Sequence, residues 1–125
     1  MNTTTFSTTR PRAWVGHWLM GVAALHTVFA GAAFAPVLLQ MARGGLLDSV
    51  GADPLRGAVT WFTLFGAVLA LLAMTVTALE RDGQTRALRR LGWGLLALTL
   101  PSLLLMPASG FWLVLPAIWA LLRRR

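Results

Sequence analysis

The chain has 125 residues, of which 57% are apolar and only 12% are charged, and its formal net charge is +7. A soluble domain carries about 25% charged residues and fewer apolar ones, so this composition favours a membrane protein and excludes intrinsic disorder of the whole chain. Because the chain has no cysteine, disulfide frameworks, CxxC redox pairs and cysteine zinc sites are excluded as well.

The first predicted helix follows a polar tail. Residues 1–12 are rich in threonine and have no apolar periodicity, so we expect a disordered tail before a single transmembrane domain at residues 13–125. Residues 13–42 contain no charged side chain and predict a spanning helix at about residues 13–40. This stretch also imitates a signal peptide with a small-residue cleavage site at residues 33–35, but Pro36 would make that site a poor substrate, so we expect the helix to be retained.

The second predicted helix is a span at about residues 55–80, because residues 57–79 are again uncharged. Asp53 followed by Pro54 is typical of a helix N-cap and the first helical residue, and Gly83 can end the helix. Glu80 and the three aspartates of the chain all lie outside the uncharged stretches.

The last uncharged stretch, residues 91–122, is 32 residues long, which is too long for one comfortable crossing. Pro101 and the turn-forming residues 107–110 interrupt it, so it predicts two helices, at about residues 86–106 and 108–124. Thr85 is the expected N-cap of the first of these helices. Pro101 and Pro116 each lack a backbone N–H, and we expect kinks at both positions.

The arginines support a count of four spans. Nine of the eleven then lie on the side of both termini, and only Arg43 and Arg56 lie on the other side. By the positive-inside rule this predicts an all-α polytopic membrane protein, an up-down bundle of four transmembrane helices with both termini in the cytoplasm. Arginines at the predicted helix ends are expected to contact lipid headgroups. They are Arg86, Arg89, Arg90, Arg123, Arg124 and Arg125.

Small residues recur at helical spacing in the first two predicted helices. Such stripes let membrane helices approach closely, so we expect these helices to pack on each other with His26 inside the contact. The residues expected to pack are Gly16, Ala23 and Ala30 in the first helix, and Thr63, Gly66, Ala70 and Ala73 in the second.

His26 is the titratable side chain expected near the bilayer midplane, about 18 Å along the helix from Trp14. An intramembrane ionisable residue is a candidate for function, and we weigh this equally against a neutral histidine that joins two helices by a hydrogen bond. In the functional interpretation His26, Thr27 and Trp112 would line a cavity for a small apolar ligand, a lipid or a quinone. His17 points to nearly the opposite face, so no metal site and no cofactor is predicted.

Two groups of residues carry a family resemblance. The first group lies in the first two predicted helices and consists of Trp14, Gly16, Gly21, His26, Gly31, Trp61, Phe62 and Gly66. The second is the stretch at residues 107–113, with the sequence Pro-Ala-Ser-Gly-Phe-Trp-Leu. The chain resembles small bacterial four-helix membrane proteins of an uncharacterised family labelled domain of unknown function 6463. The resemblance implies a fold and a membrane location, and it implies no activity.

The sequence contains no Ser/His/Asp set, phosphate-binding loop or nucleic-acid motif, so we expect a protein that is not an enzyme. The leading hypothesis is an integral, multi-pass protein of the bacterial inner membrane that acts by helix packing with itself or with a membrane partner. The alternative is a binder or carrier of a small apolar ligand near His26. The expected partners are the lipid bilayer and a second membrane chain, and not nucleic acid, because the arginines lie at helix ends.

Overall fold

The computed structural model describes residues 12–125, and within them the chain is all-helical, as predicted. The predicted tail at residues 1–12 lies outside the described residues except for Arg12. The elements are α1 (Trp14–Ala33), α2 (Ala35–Arg43), α3 (Pro54–Arg81), α4 (Thr85–Leu105), a short 3-10 helix (Gly110–Val114) and α5 (Leu115–Leu122).

Three of these helices, α1, α3 and α4, are long and apolar enough to cross a membrane, with 20, 28 and 21 residues. The fourth predicted span, residues 108–124, is occupied by the 3-10 helix and α5. Together these two elements form a shorter apolar segment, Gly110–Leu122. Within residues 12–125 the structure therefore has three helices of spanning length and one shorter apolar segment.

The prediction of one helix over residues 13–40 is wrong, because the chain divides at Phe34. This residue has φ −110° and ψ 15° and separates α1 from α2. Pro36 explains the break, since it has no N–H to donate and its ring collides with the carbonyl four residues earlier in a continuous helix. In α2 the same proline lies in the first turn, where a missing N–H costs nothing.

The ends of α3 follow from local chemistry. The Asp53 side chain accepts hydrogen bonds from the backbone N–H groups of Leu55 (2.9 Å) and Arg56 (3.3 Å), which makes it the N-cap that the sequence predicts. At the other end, Gly83 has φ +67°, a left-handed conformation that glycine adopts without steric cost. The predicted cap at Thr85 is wrong, because α4 begins at this residue and Gln84 precedes it without a side-chain hydrogen bond.

The two prolines of the last stretch behave differently from each other. Pro101 lies inside α4, which continues to Leu105. Pro116 lies in the first turn of α5, so the kink expected there is replaced by a change from 3-10 to α-helix. The carbonyl of Trp112, four residues before Pro116, accepts a hydrogen bond from the N–H of Leu115.

The helices pack as two antiparallel pairs, α1 with α3 and α4 with the 3-10 helix and α5. The pairs meet near the end of the bundle that carries the start of α1 and the end of α5. The core there consists of Val15, Leu19, Ala73, Val76, Leu88, Ala117 and Leu121. Away from this core, large apolar side chains on α1, α3 and α4 point outward.

Candidate functional site

His26 lies half-buried on the side of α1 that faces α3. Its Nε2 atom is 2.9 Å from the carbonyl oxygen of Phe62. Because a carbonyl only accepts, Nε2 carries the hydrogen and donates it. The imidazole also stacks on the Phe62 ring at 4.4 Å between centroids and meets the edge of Phe65 at 5.7 Å. The histidine therefore joins α1 to α3 through one hydrogen bond and two aromatic contacts.

The other two predicted ligand residues have different surroundings. Thr27 donates its hydroxyl hydrogen to the carbonyl of Ala23 at 2.9 Å, and its oxygen lies against Gly66. Trp112 donates its indole N–H to the carbonyl of Pro107 at 2.8 Å and so closes the turn after α4. The structure places His26 and Thr27 at the α1–α3 contact and places Trp112 in the 3-10 helix that follows α4.

Glycines set the distance between α1 and α3. Gly16 is buried so closely on α3 that a Cβ added to it would lie 2.7 Å from the backbone nitrogen and 2.8 Å from the Cα of Thr77. This contact fixes an antiparallel register between the two helices. Ala23, seven residues after Gly16 in α1, therefore lies opposite Ala70, seven residues before Thr77 in α3. The other small residues expected to pack are buried at Ala30, Gly66 and Ala73 and half-buried at Thr63.

The sequence analysis missed a cluster around Glu80, in the last turn of α3. This carboxylate is fully buried and accepts hydrogen bonds from the backbone N–H groups of Gly16 (2.9 Å) and Val15 (3.3 Å). Arg124, after the end of α5, donates to the same carboxylate and forms an ion pair with it. Glu80 therefore joins the start of α1, the end of α3 and the end of α5 in one cluster.

The chemistry of this cluster explains why a charge is tolerated there. The first N–H groups of a helix have no partner within the helix, and the N-cap of α1, Ala13, has no side-chain oxygen to offer. A carboxylate at this end also interacts favourably with the helix dipole. The guanidinium of Arg124 balances the negative charge of Glu80. Without such a counter-charge, burial of the ionised carboxylate would cost too much free energy.

Two sequence signals point to this cluster. Glu80 is the only glutamate in the chain, and it directly follows the uncharged stretch at residues 57–79. The start of α1, in contrast, lacks a capping residue. Neither signal says that these positions meet, because they are 64 residues apart along the chain.

The six arginines expected at lipid headgroups fall into three environments. Arg124 pairs with Glu80, and the guanidinium of Arg123 lies 3.9 Å from the centroid of the Trp119 ring. The remaining four line a common cavity with Thr85 and Trp93; they are Arg86, Arg89, Arg90 and Arg125. Within residues 12–125, no three histidine, aspartate or glutamate side chains come together in a group that could hold a metal ion.

Comparison with known proteins gives one match. A model of a family of unknown function (DUF6463) matches residues 10–125, which is most of the chain. No curated protein and no solved structure matches this chain.

Proposed function

This chain belongs to the family of unknown function DUF6463, and we propose that it is an integral protein of the bacterial inner membrane that acts by helix packing with itself or with another membrane protein. The proposed role is not enzymatic. In this proposal, lipid surrounds the helical bundle, and the protein acts through the outward faces of its helices.

The observation that carries the proposal is the apolar surface of the three long helices. On α1, Val28 and Phe29 are 69% and 58% exposed, on α3 Leu71 is 63% exposed, and on α4 Leu104 is 82% exposed. Soluble monomers rarely expose apolar patches larger than a few hundred Å². Lipid acyl chains would cover this surface, which supports a location in the bilayer.

We also propose that the segment after α4 makes a fourth crossing. The 3-10 helix and α5 rise together by about 22 Å, less than the hydrocarbon core of about 30 Å, so the preceding turn would lie inside the membrane. Irregular backbone at that depth needs hydrogen-bond partners. The indole of Trp112 donates to the carbonyl of Pro107, and the indole of Trp18 donates to the carbonyl of Leu113 at 2.8 Å, which supports this arrangement.

A pair of reporter fusions tests membrane insertion and sidedness together. With four crossings and nine arginines on the side of the termini, green fluorescent protein fused after Arg125 is expected to fluoresce, and alkaline phosphatase fused there is expected to be inactive. Fusion at Gly45, in the loop between α2 and α3, is expected to give the opposite pair of results. Active phosphatase after Arg125 would place this end of the chain in the periplasm and contradict the proposed sidedness, and recovery of the chain without detergent would contradict a membrane location.

The surface for an external helix is expected on α4 and not on the small stripes of α1 and α3. Those stripes are already used within the chain, since Gly66 lies against Thr27 and Gly16 lies against Thr77. On α4, Gly94 and Ala97 are exposed, and a Cβ added to Gly94 would meet nothing within 4 Å. Another helix could therefore approach the backbone of α4 closely at this point.

Substitution Gly94→Leu tests the packing role. We expect wild type in native-lipid nanodiscs to be larger than a monomer or to crosslink to a membrane protein in cells, and the variant to associate about fivefold more weakly, which corresponds to about 1 kcal/mol of contact energy. Gly21→Leu is the matched control, because Gly21 is equally open but lies on α1. A monomeric wild type without crosslinked partners would remove the packing role.

The contacts of His26 favour its role in packing. Its Nε2 hydrogen is used by Phe62, and its ring is held between aromatic side chains of α3. Binding of a lipid or quinone near His26, Thr27 and Trp112 stays a prediction.

A further inference from the structure

A cavity of about 270 Å³ lies at the end of the bundle that carries the chain's last residue. Four of its lining residues are Arg86, Arg89, Arg90 and Trp93, whose spacing of three, four and seven residues places them on one face of α4. Arg125 lines the cavity from the segment after α5. Two parts of the chain that are far apart in sequence therefore bring four arginines around one open cavity.

These arginines have no carboxylate partner in the described chain. Within residues 12–125 the two ion pairs are Arg56 with Asp53 and Arg124 with Glu80, and no acidic residue lines the cavity. The cavity also lies beside the start of α4, where the helix dipole adds positive potential. Four like charges around about 270 Å³ repel one another, so the arrangement favours binding of an anion.

We propose that this cavity binds the phosphates of an anionic lipid, with a two-phosphate headgroup as the best ligand. The proposal rests on the membrane location proposed above. Guanidinium groups bind phosphate oxygens through paired hydrogen bonds, and four of them exceed the single charge of one phosphodiester. Trp93 lies on the apolar side of the arginines along α4 and is 60% exposed, as expected for an aromatic ring at the level where headgroups meet acyl chains.

Native mass spectrometry of the detergent-purified protein tests the proposal. The probes are diphosphatidylglycerol with two phosphates, phosphatidylglycerol with one, and phosphatidylcholine without net charge. We expect wild type to bind diphosphatidylglycerol at least about tenfold more tightly than phosphatidylcholine, with phosphatidylglycerol between them. The double variant Arg89→Gln/Arg90→Gln should lose about tenfold in affinity for diphosphatidylglycerol.

The matched control is Arg12→Gln/Arg81→Gln, which removes two exposed arginines from the same end of the bundle without touching the cavity. It should keep the affinity for diphosphatidylglycerol within about twofold. Equal losses in both double variants, with unchanged helical content by circular dichroism, would mean that only general surface charge attracts the lipid, and this would overturn the proposal.

A competition experiment separates the two sources of phosphate. Millimolar inorganic phosphate is expected to leave the lipid bound, and displacement of the lipid would assign the cavity to soluble phosphates. Failure of the proposed membrane location has a different signature. In that case the wild-type chain would be recovered from cells without detergent, whereas failure of the lipid proposal alone would leave an integral protein without a preference among the three lipids.

Discussion

Replacing Glu80 with alanine is expected to lower the free energy of unfolding by about 3–5 kcal/mol, the usual cost of removing one partner of a buried ion pair. The substitution leaves the guanidinium of Arg124 without its carboxylate, and leaves the N–H groups of Val15 and Gly16 without an acceptor. Unfolding in mixed detergent micelles, followed by circular dichroism, would measure the change. A variant within about 0.5 kcal/mol of wild type would contradict the structural role of this cluster.

Two further variants separate charge from hydrogen bonding at Glu80. Glu80→Gln retains an oxygen that can accept from Gly16 but removes the charge, so its loss of stability should be smaller than that of Glu80→Ala. Combining it with Arg124→Gln should cost less than the two single losses added together, because the double variant leaves no unpaired buried charge. Strict additivity would mean that the two side chains do not interact.

Gly16→Ala is expected to produce the second large effect, a loss of about 2–3 kcal/mol in the free energy of unfolding. The new Cβ would meet backbone atoms of Thr77, which cannot move unless α1 and α3 separate. Thermal unfolding in detergent would detect the loss as a lower midpoint.

Gly21→Ala is the matched control for this prediction. It makes the same change one and a half turns further along α1, where an added Cβ would meet nothing within 4 Å. Because alanine favours helix over glycine, this control should be neutral or more stable by up to about 1 kcal/mol. If Gly16→Ala were as stable as Gly21→Ala, the close contact of α1 with α3 would be absent.

Sequence patterns predicted the elements whose causes are local. The start of α3 follows from Asp53 and Pro54, and its length follows from an uncharged stretch. The break at Phe34 was missed although its cause, Pro36, was noticed, because the long apolar run favoured one spanning helix. The 3-10 helix was missed for a related reason, since hydropathy does not distinguish it from an α-helix.

Contacts between distant residues were not predictable in the same way. Helical spacing indicated which residues of α1 and α3 are small, and the structure adds the register that sets Gly16 against Thr77. The arginines at the end of the chain looked alike in sequence, yet one pairs with Glu80, one lies on Trp119 and one lines the cavity. Only the packing of α5 against α4 and α1 separates them.

The position of Arg124 has a consequence for how the chain is made in the cell. Synthesis runs from α1 towards α5, so the amides of Val15 and Gly16 leave the ribosome before the carboxylate that accepts their hydrogens. That carboxylate in turn precedes its counter-charge by 44 residues. The amides at the start of α1 therefore lack their acceptor until α3 has been made, and the earlier translation intermediates must satisfy them with water or lipid headgroups.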